Sequence, residues 1–388
     1  MRIAIVGAVL LLAGAAAAIA GVLPAEDIVA LVGRVAPILA FVVAVTIVAE
    51  LAAEAAVFRV IAERLAGVAR GRAFVLWLLV LALAAASTIF LSLDTTAVLL
   101  TPIVVSLAAH ARISPIPFAL TTVWIANTGS LLLPVSNLTN LLAAEHFGLH
   151  PLEFAALTFA PAVVAIVVPA IIIFVTRPRQ LLVRFEPERG TPPEDRVLFG
   201  IAATTLALLV PALVSGIEVW IPAAIAAAVL AIAFAVRRPA VLRPSLVPWP
   251  LVVFASGLFL AVEALHAAGT TGVLGTLAGT GDGPLELLRL AGLGAASANA
   301  VNNLPAYLAL EPFADDPVRI VALLIGVNAG AIITPWGSLA TLLWHSRLVS
   351  MEVEISWRRF MLLGLLAAPL TVVAATLALS FAQGTATG

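Results

Sequence analysis

Long apolar stretches alternate with short polar segments along almost the whole chain. A helix needs about 20 predominantly apolar residues to cross the hydrocarbon core of a bilayer. Nine stretches meet this requirement: residues 3–22, 28–50, 115–147, 153–176, 197–214, 218–236, 249–268, 317–347 and 360–382. The pattern predicts an all-α polytopic membrane protein.

Two further apolar stretches, at residues 72–110 and 285–312, carry polar side chains in their middle. Non-helical backbone survives at membrane depth only where it is buried in protein or lines a cavity. We therefore interpret each stretch as a re-entrant hairpin, which enters the membrane, turns at the polar residues and leaves on the same side.

The composition is typical of a membrane protein and excludes several other classes of function. Hydrophobic residues make up 63% of the chain and charged residues 11%, against about 25% charged residues in a typical soluble domain. A net charge of −1 provides no basic surface for a nucleic acid. Because the chain has no cysteine, disulfides, thiolate metal sites and thiol nucleophiles are excluded. We expect no metal and no cofactor.

Arginine placement predicts the orientation, since cytoplasmic loops carry an excess of basic residues. With the N-terminus in the cytoplasm, 17 of the 20 basic residues, Arg189 among them, fall in cytoplasmic segments, and Arg34, Arg289 and Arg319 do not. We then expect the C-terminus to lie outside, and we expect the membrane to be a prokaryotic inner membrane. The loops on the outer side carry the acidic residues Glu26, Asp27, Glu145, Glu153, Asp282, Asp315 and Asp316.

The order of elements occurs twice, in opposite orientations. Two spans, an inward-opening hairpin, an interrupted span and one more span occupy residues 1–176. The same order with an outward-opening hairpin occupies residues 218–388, and residues 177–217 form a cytoplasmic linker and a connecting span. Inverted-topology repeats are a common construction of secondary transporters. The first span resembles a signal peptide, but the repeat requires it to be retained.

Polar clusters interrupt both hairpins and both long spans. The hairpins contain Ser92-Leu93-Asp94-Thr95-Thr96 and the segment from Ser297 to Pro305, and the spans are interrupted at 127–140 and 328–338. Corresponding clusters lie about 200 residues apart, and paired helix breaks of this kind point to a carrier's midplane binding site. No P-loop for ATP occurs in the sequence, so the driving force is not ATP bound by this chain.

The candidate solute ligands are the polar side chains of these clusters. Asn, Ser and Thr offer hydrogen-bond donors and acceptors without permanent charge. The alternative is that they are packing contacts between helices, but four symmetric clusters with Pro and Gly favour a site. We expect some of the set to touch solute and the rest to hold the breaks: Asp94, Thr95, Thr96, Asn127, Ser136, Asn137, Asn140, Asn299, Asn302, Asn303, Asn328, Thr334 and Ser338.

Asp94 is the sharpest single candidate, because it lies in an otherwise uncharged stretch from Ala73 to Ala109. An ionisable side chain at membrane depth is costly and is a functional hypothesis by default. Burial favours the neutral form of the carboxyl group, which suits a residue that takes up and releases a proton. The alternative, compatible role is a helix cap on the second arm of the hairpin.

The four clusters resemble the ArsB-type arsenite efflux permeases of the ion-transporter superfamily. The segments are DTTAVLLTPIV at 94–104, ANTGSLLLPVSNLTNLL at 126–142, VNNLPA at 301–306 and TPWGSLATLLW at 334–344, in the same order as in that family. The last segment is the most specific. The sequence departs from the family at Leu93 and at Thr95-Thr96, where Asn and Gly are usual.

The resemblance implies a scaffold domain and a transport domain that moves as an elevator. It implies export of arsenite or antimonite in exchange for protons, driven by the proton motive force, and it leaves open a homodimer and an arsenite-stimulated ATPase partner. Its site residues, carried onto this sequence, are Asp94, Thr95, Thr96, Asn137, Asn140, Asn302, Asn303, Thr334 and Ser338.

Two other carrier functions remain open on the same fold. A sodium-coupled dicarboxylate or sulfate carrier is disfavoured because the charge of Asp94 would repel a dianion. A sodium/proton antiporter would hold its cation with Asp94 and freed carbonyl oxygens as hard ligands. A membrane enzyme is disfavoured, since the sequence has neither a nucleophile elbow nor a metal-spaced His/Glu cluster. No catalytic residue is predicted.

Overall fold

In a computed structural model, which describes residues 2–186, 190–267 and 272–386, the chain is a bundle of α-helices. Arg189, one of the arginines counted above, lies outside the described residues. Within those residues, seven helices have the length and hydropathy to cross a membrane, and three shorter helices are also apolar. The predicted all-helical, multi-pass membrane architecture is confirmed.

The first half of the chain forms nine helices among the described residues. The helices are α1 (Arg2–Ile19), α2 (Ala25–Glu54), α3 (Val57–Val68), α4 (Ala73–Phe90), α5 (Leu93–Thr95), α6 (Thr101–His110), α7 (Ile116–Thr128), α8 (Leu138–His146) and α9 (Pro151–Thr176). A π-helical turn, Thr96–Leu100, joins α5 to α6, and 3-10 turns occupy Gly129–Leu131 and Pro134–Ser136.

Two helices, α10 (Pro178–Leu181) and α11 (Arg196–Leu213), connect the halves. The second half contains α12 (Trp220–Arg237), α13 (Trp249–Ala267), α14 (Gly272–Ala278), α15 (Pro284–Val301), α16 (Asn303–Leu310), α17 (Pro317–Leu324), α18 (Leu339–Ser350) and α19 (Trp357–Ala386). A π-helical turn follows α17 at Ile325–Ala329, and 3-10 turns occupy Pro239–Val241, Pro244–Leu246 and Glu311–Phe313.

One helix, α3, was not among the predicted elements. It places Val57, Phe58 and Val60 in the interior and half-exposes Arg59 and Glu63, which pair at 3.0 Å. This short amphipathic pattern is too polar for a membrane span, and the search for long apolar stretches therefore passed over it.

Helix pairs from opposite halves of the chain pack together. Helix α1 packs along α13, α2 packs along α12, and α9 packs along α19. Buried apolar side chains form two clusters, one centred on α2, α12, α15 and α17 and the other on α4, α6, α7 and α18. The two halves are therefore interleaved rather than placed side by side.

Small residues permit the closest of these approaches. A Cβ atom on Gly326 would come within 2.1 Å of the carbonyl oxygen of Ala291 in α15, and one on Gly330 within 2.4 Å of the Ala295 Cβ. Glycines four residues apart let transmembrane backbones approach closely. The π-helical turn that contains Gly326 is therefore held directly against the α15 backbone.

Contacts among polar residues bring several helix ends together at what we call the arginine-rich end. Arg72 and Arg184 form an isolated β-bridge, and Arg238 donates to the carbonyl of Glu54 at 3.5 Å. The Arg237 guanidinium donates to Asp195 at 2.7 Å, and this hydrogen bond lowers the pKa of the Asp195 carboxyl.

The three arginines that the sequence assigns to the opposite side are each engaged in local structure. Arg319 is 1% exposed and donates to the carbonyls of Gly279 and Phe313 at 2.7 and 2.8 Å. Arg289 donates to the carbonyl of Leu277 at 2.7 Å, and Arg34 pairs with glutamates. These three arginines bind backbone carbonyls or glutamates of the protein, which explains why they occur outside the segments that hold the other arginines.

We expect Gly326→Ala to destabilise the protein, because the added methyl group would meet the Ala291 carbonyl oxygen. Overpacking of this kind costs about 1–3 kcal/mol. The matched control is Gly292→Ala in α15, where a Cβ would meet nothing within 4 Å. Thermal unfolding midpoints in detergent measure both changes, and equal midpoints for the two variants would contradict the close approach.

Candidate functional site

Four helices begin at the polar interruptions, and their first turns meet at one cavity. The residues that immediately precede α5, α8, α16 and α18 line a cavity of about 70 Å³, which we call the site cavity. The four interruptions are far apart in the sequence and converge in the fold. The residues are Ser92, Asn137, Asn302 and Ser338.

Side-chain caps explain why three of these helices begin where they do. Ser92 accepts a hydrogen bond from the Thr95 N–H at 3.1 Å, and Asn302 accepts one from the Leu304 N–H at 3.3 Å. Asn137 accepts more weakly, at 3.4 Å. Each cap satisfies an amide that a helix start leaves without a partner. Asn302 has a φ of 110°, a conformation rare for residues with a side chain and concentrated at functional sites.

The four helix starts also give the cavity an electrostatic character. A helix N-terminus carries about half a positive elementary charge, and four of them favour the oxygen atoms of a bound solute. Among the described residues that line the site cavity, Asp94 alone is ionisable. Its carboxylate opposes the positive potential when it is charged.

Ser338 is the fourth of these residues and differs from the other three. Its side chain makes no cap hydrogen bond, it is completely buried, and its hydroxyl finds no hydrogen-bond partner among the described residues. A buried hydroxyl without a partner costs about 1–3 kcal/mol. Ser338 therefore lines the site cavity with a hydroxyl group that no described residue satisfies.

Asp94 is half-buried at the start of α5. Ser92, and not Asp94, provides the cap of this helix. Within the described part of the chain, no residue donates a hydrogen bond to the Asp94 side chain, which lines both the site cavity and an adjoining cavity. The Asp94 side chain therefore borders two cavities and has no hydrogen-bond donor among the described residues.

The two threonines that follow Asp94 hold the break. The hydroxyls of Thr95 and Ser92 lie 2.9 Å apart, and Thr88 in α4 donates to the Thr96 hydroxyl at 2.9 Å. Neither threonine lines the site cavity, although Thr95 lines the adjoining one.

Asn328 links the interruptions of the two long spans. Its Oδ1 accepts hydrogen bonds from Asn137 Nδ2 at 2.8 Å and from Thr139 Oγ1 at 2.9 Å. Its Nδ2 donates to Asn140 Oδ1 at 2.8 Å, and Asn140 in turn donates to the Ser130 carbonyl at 2.6 Å. This buried network fixes Asn137 at the cavity wall and keeps Asn140 and Asn328 away from it.

Asn299 links the second hairpin stretch to the second interrupted span. Its Oδ1 accepts from the Thr334 N–H at 2.9 Å, and its carbonyl accepts from the Thr334 hydroxyl at 2.9 Å. Further along, the Asn303 N–H donates to the Gly337 carbonyl at 2.9 Å. These contacts place Asn302, Asn303 and Ser338 beside one another.

The structure thus divides the candidate residues into two groups. Asn127 donates to the Val123 carbonyl at 2.8 Å and Ser136 to the Ser130 carbonyl at 2.8 Å, both away from the cavity. The candidates outside the site cavity are Thr95, Thr96, Asn127, Ser136, Asn140, Asn299, Asn328 and Thr334, and the candidates that line it are Asp94, Asn137, Asn302, Asn303 and Ser338.

Helix α2 contributes a wall that the sequence did not predict. Phe41, Val42, Val45 and Thr46 line the site cavity, and the Thr46 hydroxyl donates to the Val42 carbonyl at 2.7 Å. The signal in the sequence is weak, because Thr46 is a lone polar residue in an apolar span. Its spacing of four residues from Val42 and Glu50 places these side chains on one helix face.

A charge cluster around one buried carboxylate, which the sequence also did not predict, lies beyond the site cavity. Glu311 is 6% exposed and accepts hydrogen bonds from Arg34 and, at 3.2 Å, from the Tyr307 hydroxyl. His146 lies 3.6 Å from Glu311, and Glu145 lies 3.6 Å from Arg34. The cluster ties α2 to α8 and α16.

The cluster is about 12 Å from the site cavity, the length of eight helical residues. Eight positions separate Asn303 from Glu311 along α16 and the turn that follows it, and eight positions separate Asn137 from Glu145 along α8. The intervals Asn303–Tyr307–Glu311 place these three side chains on one face. The cluster therefore closes the fold at the end of α2 opposite the arginine-rich end.

Comparison with known sequences places the chain among membrane transporters. It matches the model of the citrate transporter family over residues 2–319. It is 30% identical over 332 residues to the arsenical pump membrane protein of Escherichia coli (strain K12), which covers 77% of this chain and 75% of that protein. Identity to the arsenical pump membrane protein of Yersinia enterocolitica is 31% over 330 residues, with the same coverage.

A more distant relative and a solved structure extend the similarity. The putative arsenical pump membrane protein of Bacillus subtilis (strain 168) is 25% identical over 359 residues, covering 81% of this chain and 80% of that protein. The YdaH transporter of Alcanivorax borkumensis has a similar fold, with a TM-score of 0.59 over 94% of this chain and 90% of that chain. At 16% identity, this similarity concerns the fold alone.

We expect Arg34→Met to destabilise the protein, because it removes the guanidinium that donates a hydrogen bond to the buried Glu311 carboxylate. Removing one partner of a fully buried pair costs about 3–5 kcal/mol, and we expect a smaller loss here because the Arg34 side chain is 30% exposed. The double variant Arg34→Met with Glu311→Gln should recover much of this loss, since it removes the orphaned charge. Unfolding midpoints in detergent test both variants, and a single variant as stable as the wild type would contradict a structural pair.

Proposed function

Because the chain belongs to the citrate transporter family of membrane transporters and is related over most of its length to arsenical pump membrane proteins, we propose that it exports arsenite or antimonite in exchange for protons. The observation that carries the proposal is the small site cavity with its four helix starts, the unpartnered Ser338 hydroxyl and a single carboxylate.

Arsenous acid is a compact, neutral trihydroxide at pH 7 and matches this chemistry. Its oxygen atoms can accept hydrogen bonds from backbone amides and from Ser338, and its hydroxyls can donate to Asp94. A cavity of about 70 Å³ is several times the ~10–15 Å³ that one water molecule requires. The cavity therefore suits a solute of a few non-hydrogen atoms. Without any cysteine, capture through oxygen and amide contacts is weak, which allows release.

Asp94 supplies the coupling in this proposal. When Asp94 is protonated, its carboxyl is neutral and crosses the membrane depth at lower cost than the carboxylate. When it is charged, it accepts hydrogen bonds from the solute. Moving one elementary charge across 100 mV provides about 2.3 kcal/mol, which can drive export against a gradient.

The proposal includes an architecture of two inverted repeats. Residues 1–176 and 218–388 form the repeats, residues 177–217 connect them, and the helix–break–helix segments at 72–110 and 285–312 are re-entrant hairpins. If the two halves are repeats, α1 corresponds to α12 and α2 corresponds to α13. The contact between α1 and α13 then corresponds to the contact between α12 and α2, and both contacts are present, which supports the repeat. The transport domain moves as an elevator in this arrangement.

The orientation belongs to the same proposal. The arginine-rich end faces the cytoplasm of a prokaryotic cell, the N-terminus lies inside and the C-terminus outside the inner membrane. The engagement of Arg34, Arg289 and Arg319 in local structure supports this choice. These three charges do not act as free cationic anchors on the outer side.

Transport of a carboxylate such as citrate is the second candidate function. The match to the citrate transporter family and the positive potential of four helix starts favour it. The site cavity, however, has no arginine or histidine among its described lining residues to neutralise a polyanion, and Asp94 would repel it. A sodium-coupled carrier of this kind and a sodium/proton antiporter are therefore placed behind arsenite export.

Uptake of arsenite into everted membrane vesicles tests the function. An imposed proton gradient, acid inside, should drive accumulation that the vesicles do not show without the gradient. We expect Asp94→Asn to fold normally and to reduce accumulation to the level without a gradient, because it cannot exchange a proton. The control is Asp282→Asn in an exposed loop, which should transport as the wild type does.

The same vesicles separate the competing functions. Replacing arsenite with citrate or with sodium tests the citrate carrier and the sodium/proton antiporter. Gradient-driven flux of either, without arsenite flux, would overturn the proposal. Undiminished proton-driven flux in Asp94→Asn would remove Asp94 from the coupling role.

We expect Ser338→Ala to weaken the apparent affinity for arsenite about 2–10-fold, since a neutral hydrogen bond is worth ~0.5–1.5 kcal/mol. Protein stability should stay the same or rise, because the Ser338 hydroxyl has no partner in the fold. Ser87→Ala is the matched control: its hydroxyl is also buried without a partner but lies away from the site cavity. An equal affinity loss in both variants would refute a solute contact.

A further inference from the structure

Two further cavities lie in sequence between the site cavity and the arginine-rich end, and each shares lining residues with the next. An adjoining cavity of about 220 Å³ shares Thr46, Asp94, Leu251 and Leu339 with the site cavity. A third cavity of about 470 Å³, which we call the vestibule, shares its residues Glu50, Val98 and Leu99 with the adjoining cavity. At ~30 Å³ per molecule in the liquid, the adjoining cavity has room for several waters.

Two carboxylates stand at the two ends of the adjoining cavity. Among its described lining residues, Asp94 and Glu50 are the ionisable ones, and the others are apolar residues, prolines and two threonines. Asp94 belongs also to the site cavity and Glu50 also to the vestibule. A proton that leaves Asp94 for the vestibule therefore passes Glu50.

Glu50 is half-buried on α2, one helical turn beyond Thr46 and one turn before Glu54. The charged groups that act on it are Arg347 from α18 and Glu54 from its own helix. No hydrogen bond to its carboxylate forms within the described residues, so its oxygen atoms are open to water. The other ionisable residues of the vestibule are Arg59, Glu194, Asp195 and Arg238, together with Glu54 and Arg347.

We propose that Glu50 is the proton-release residue of this carrier. The O–H bond of the Asp94 carboxyl breaks, the proton moves through water in the adjoining cavity, and a new O–H bond forms at Glu50. Glu50 then gives the proton to vestibule water, so that each carboxylate ends in its charged form and no electrons move. This role rests on the proposed proton coupling and extends it to a second residue.

Of the ionisable groups near the adjoining cavity, Glu50 is the one that can relay a proton from Asp94. Arginine does not release its proton in proteins, so Arg347 cannot relay. Glu54 is exposed and outside the adjoining cavity, so it meets protons already in bulk water. Arg347 attracts the Glu50 carboxylate and so favours the charged form, to which Glu50 must return before it accepts the next proton.

Glu50→Gln tests the proposal against the matched variant Glu54→Gln, one turn away on the same helix. In everted vesicles, the proton-driven uptake rate of arsenite should fall about tenfold or more in Glu50→Gln, as for removal of a general acid–base group. Exchange of labelled for unlabelled arsenite needs no net proton release and should stay within about twofold of wild type. Glu50→Asp should restore much of the uptake, and Glu54→Gln should resemble the wild type in both assays.

A second readout requires no solute. Infrared difference spectra of the purified protein after a step from acid to neutral pH follow the carboxyl band of Asp94, identified by its loss in Asp94→Asn. We expect the band to decay about tenfold more slowly in Glu50→Gln than in the wild type or in Glu54→Gln, because a relay group sets the transfer rate.

The two readouts distinguish the possible failures. Slower decay of the band in Glu50→Gln, in a protein that moves no arsenite, would support the relay and overturn the proposed solute. Wild-type decay of the band would overturn the relay whatever the transport result. Equal loss of uptake and of exchange in Glu50→Gln would assign Glu50 to structure or to solute binding.

Discussion

Backbone amides exposed at a helix start inside a membrane must find partners within the protein, and the fold depends on how this constraint is met. No water in the hydrocarbon region can satisfy them. Four helices begin at the site cavity, and Ser92, Asn137 and Asn302 cap three of them. Ser338 begins the fourth without a cap bond. The need to satisfy helix starts therefore builds most of the site, and the buried Ser338 hydroxyl, which has no partner among the described residues, is where we propose that a solute adds a contact.

The polar side chains around these helix starts have separate tasks. Asn328 and Asn299 hold the interrupted spans against each other and against the second hairpin stretch. Both satisfy several buried groups at once, and a buried network of this kind is rigid when every member is bonded. The cavity wall is therefore preorganised, and the residues that face it are few.

Helix α2 connects three regions along its length. Arg34 joins the charge cluster around Glu311 at one end, Thr46 lines the site cavity in the middle, and Glu50 lies between the adjoining cavity and the vestibule at the other end. The chain of cavities leads from the site toward the arginine-rich end, whereas Glu311 and its partners pack the opposite end. The described cavities thus lie between the site and the arginine-rich end, and the Glu311 ion pairs lie at the other end of α2.

The sequence by itself determined the helical membrane architecture, the positions of the four interruptions and the candidacy of Asp94. Each of these follows from local composition, because long apolar stretches must be helical in a bilayer and Pro, Gly and Asn break helices locally. Only the tertiary structure decided which polar residues face the cavity. In the sequence, Asn140 and Ser338 are both polar residues at an interrupted span, and only the fold shows that Asn140 has a hydrogen-bond partner and that the Ser338 hydroxyl has none among the described residues. The tertiary structure also decided the Arg34–Glu311 pair, because a contact between residues 277 positions apart has no local signal in the sequence. It placed Glu50 between two cavities, whose walls come from several separate helices.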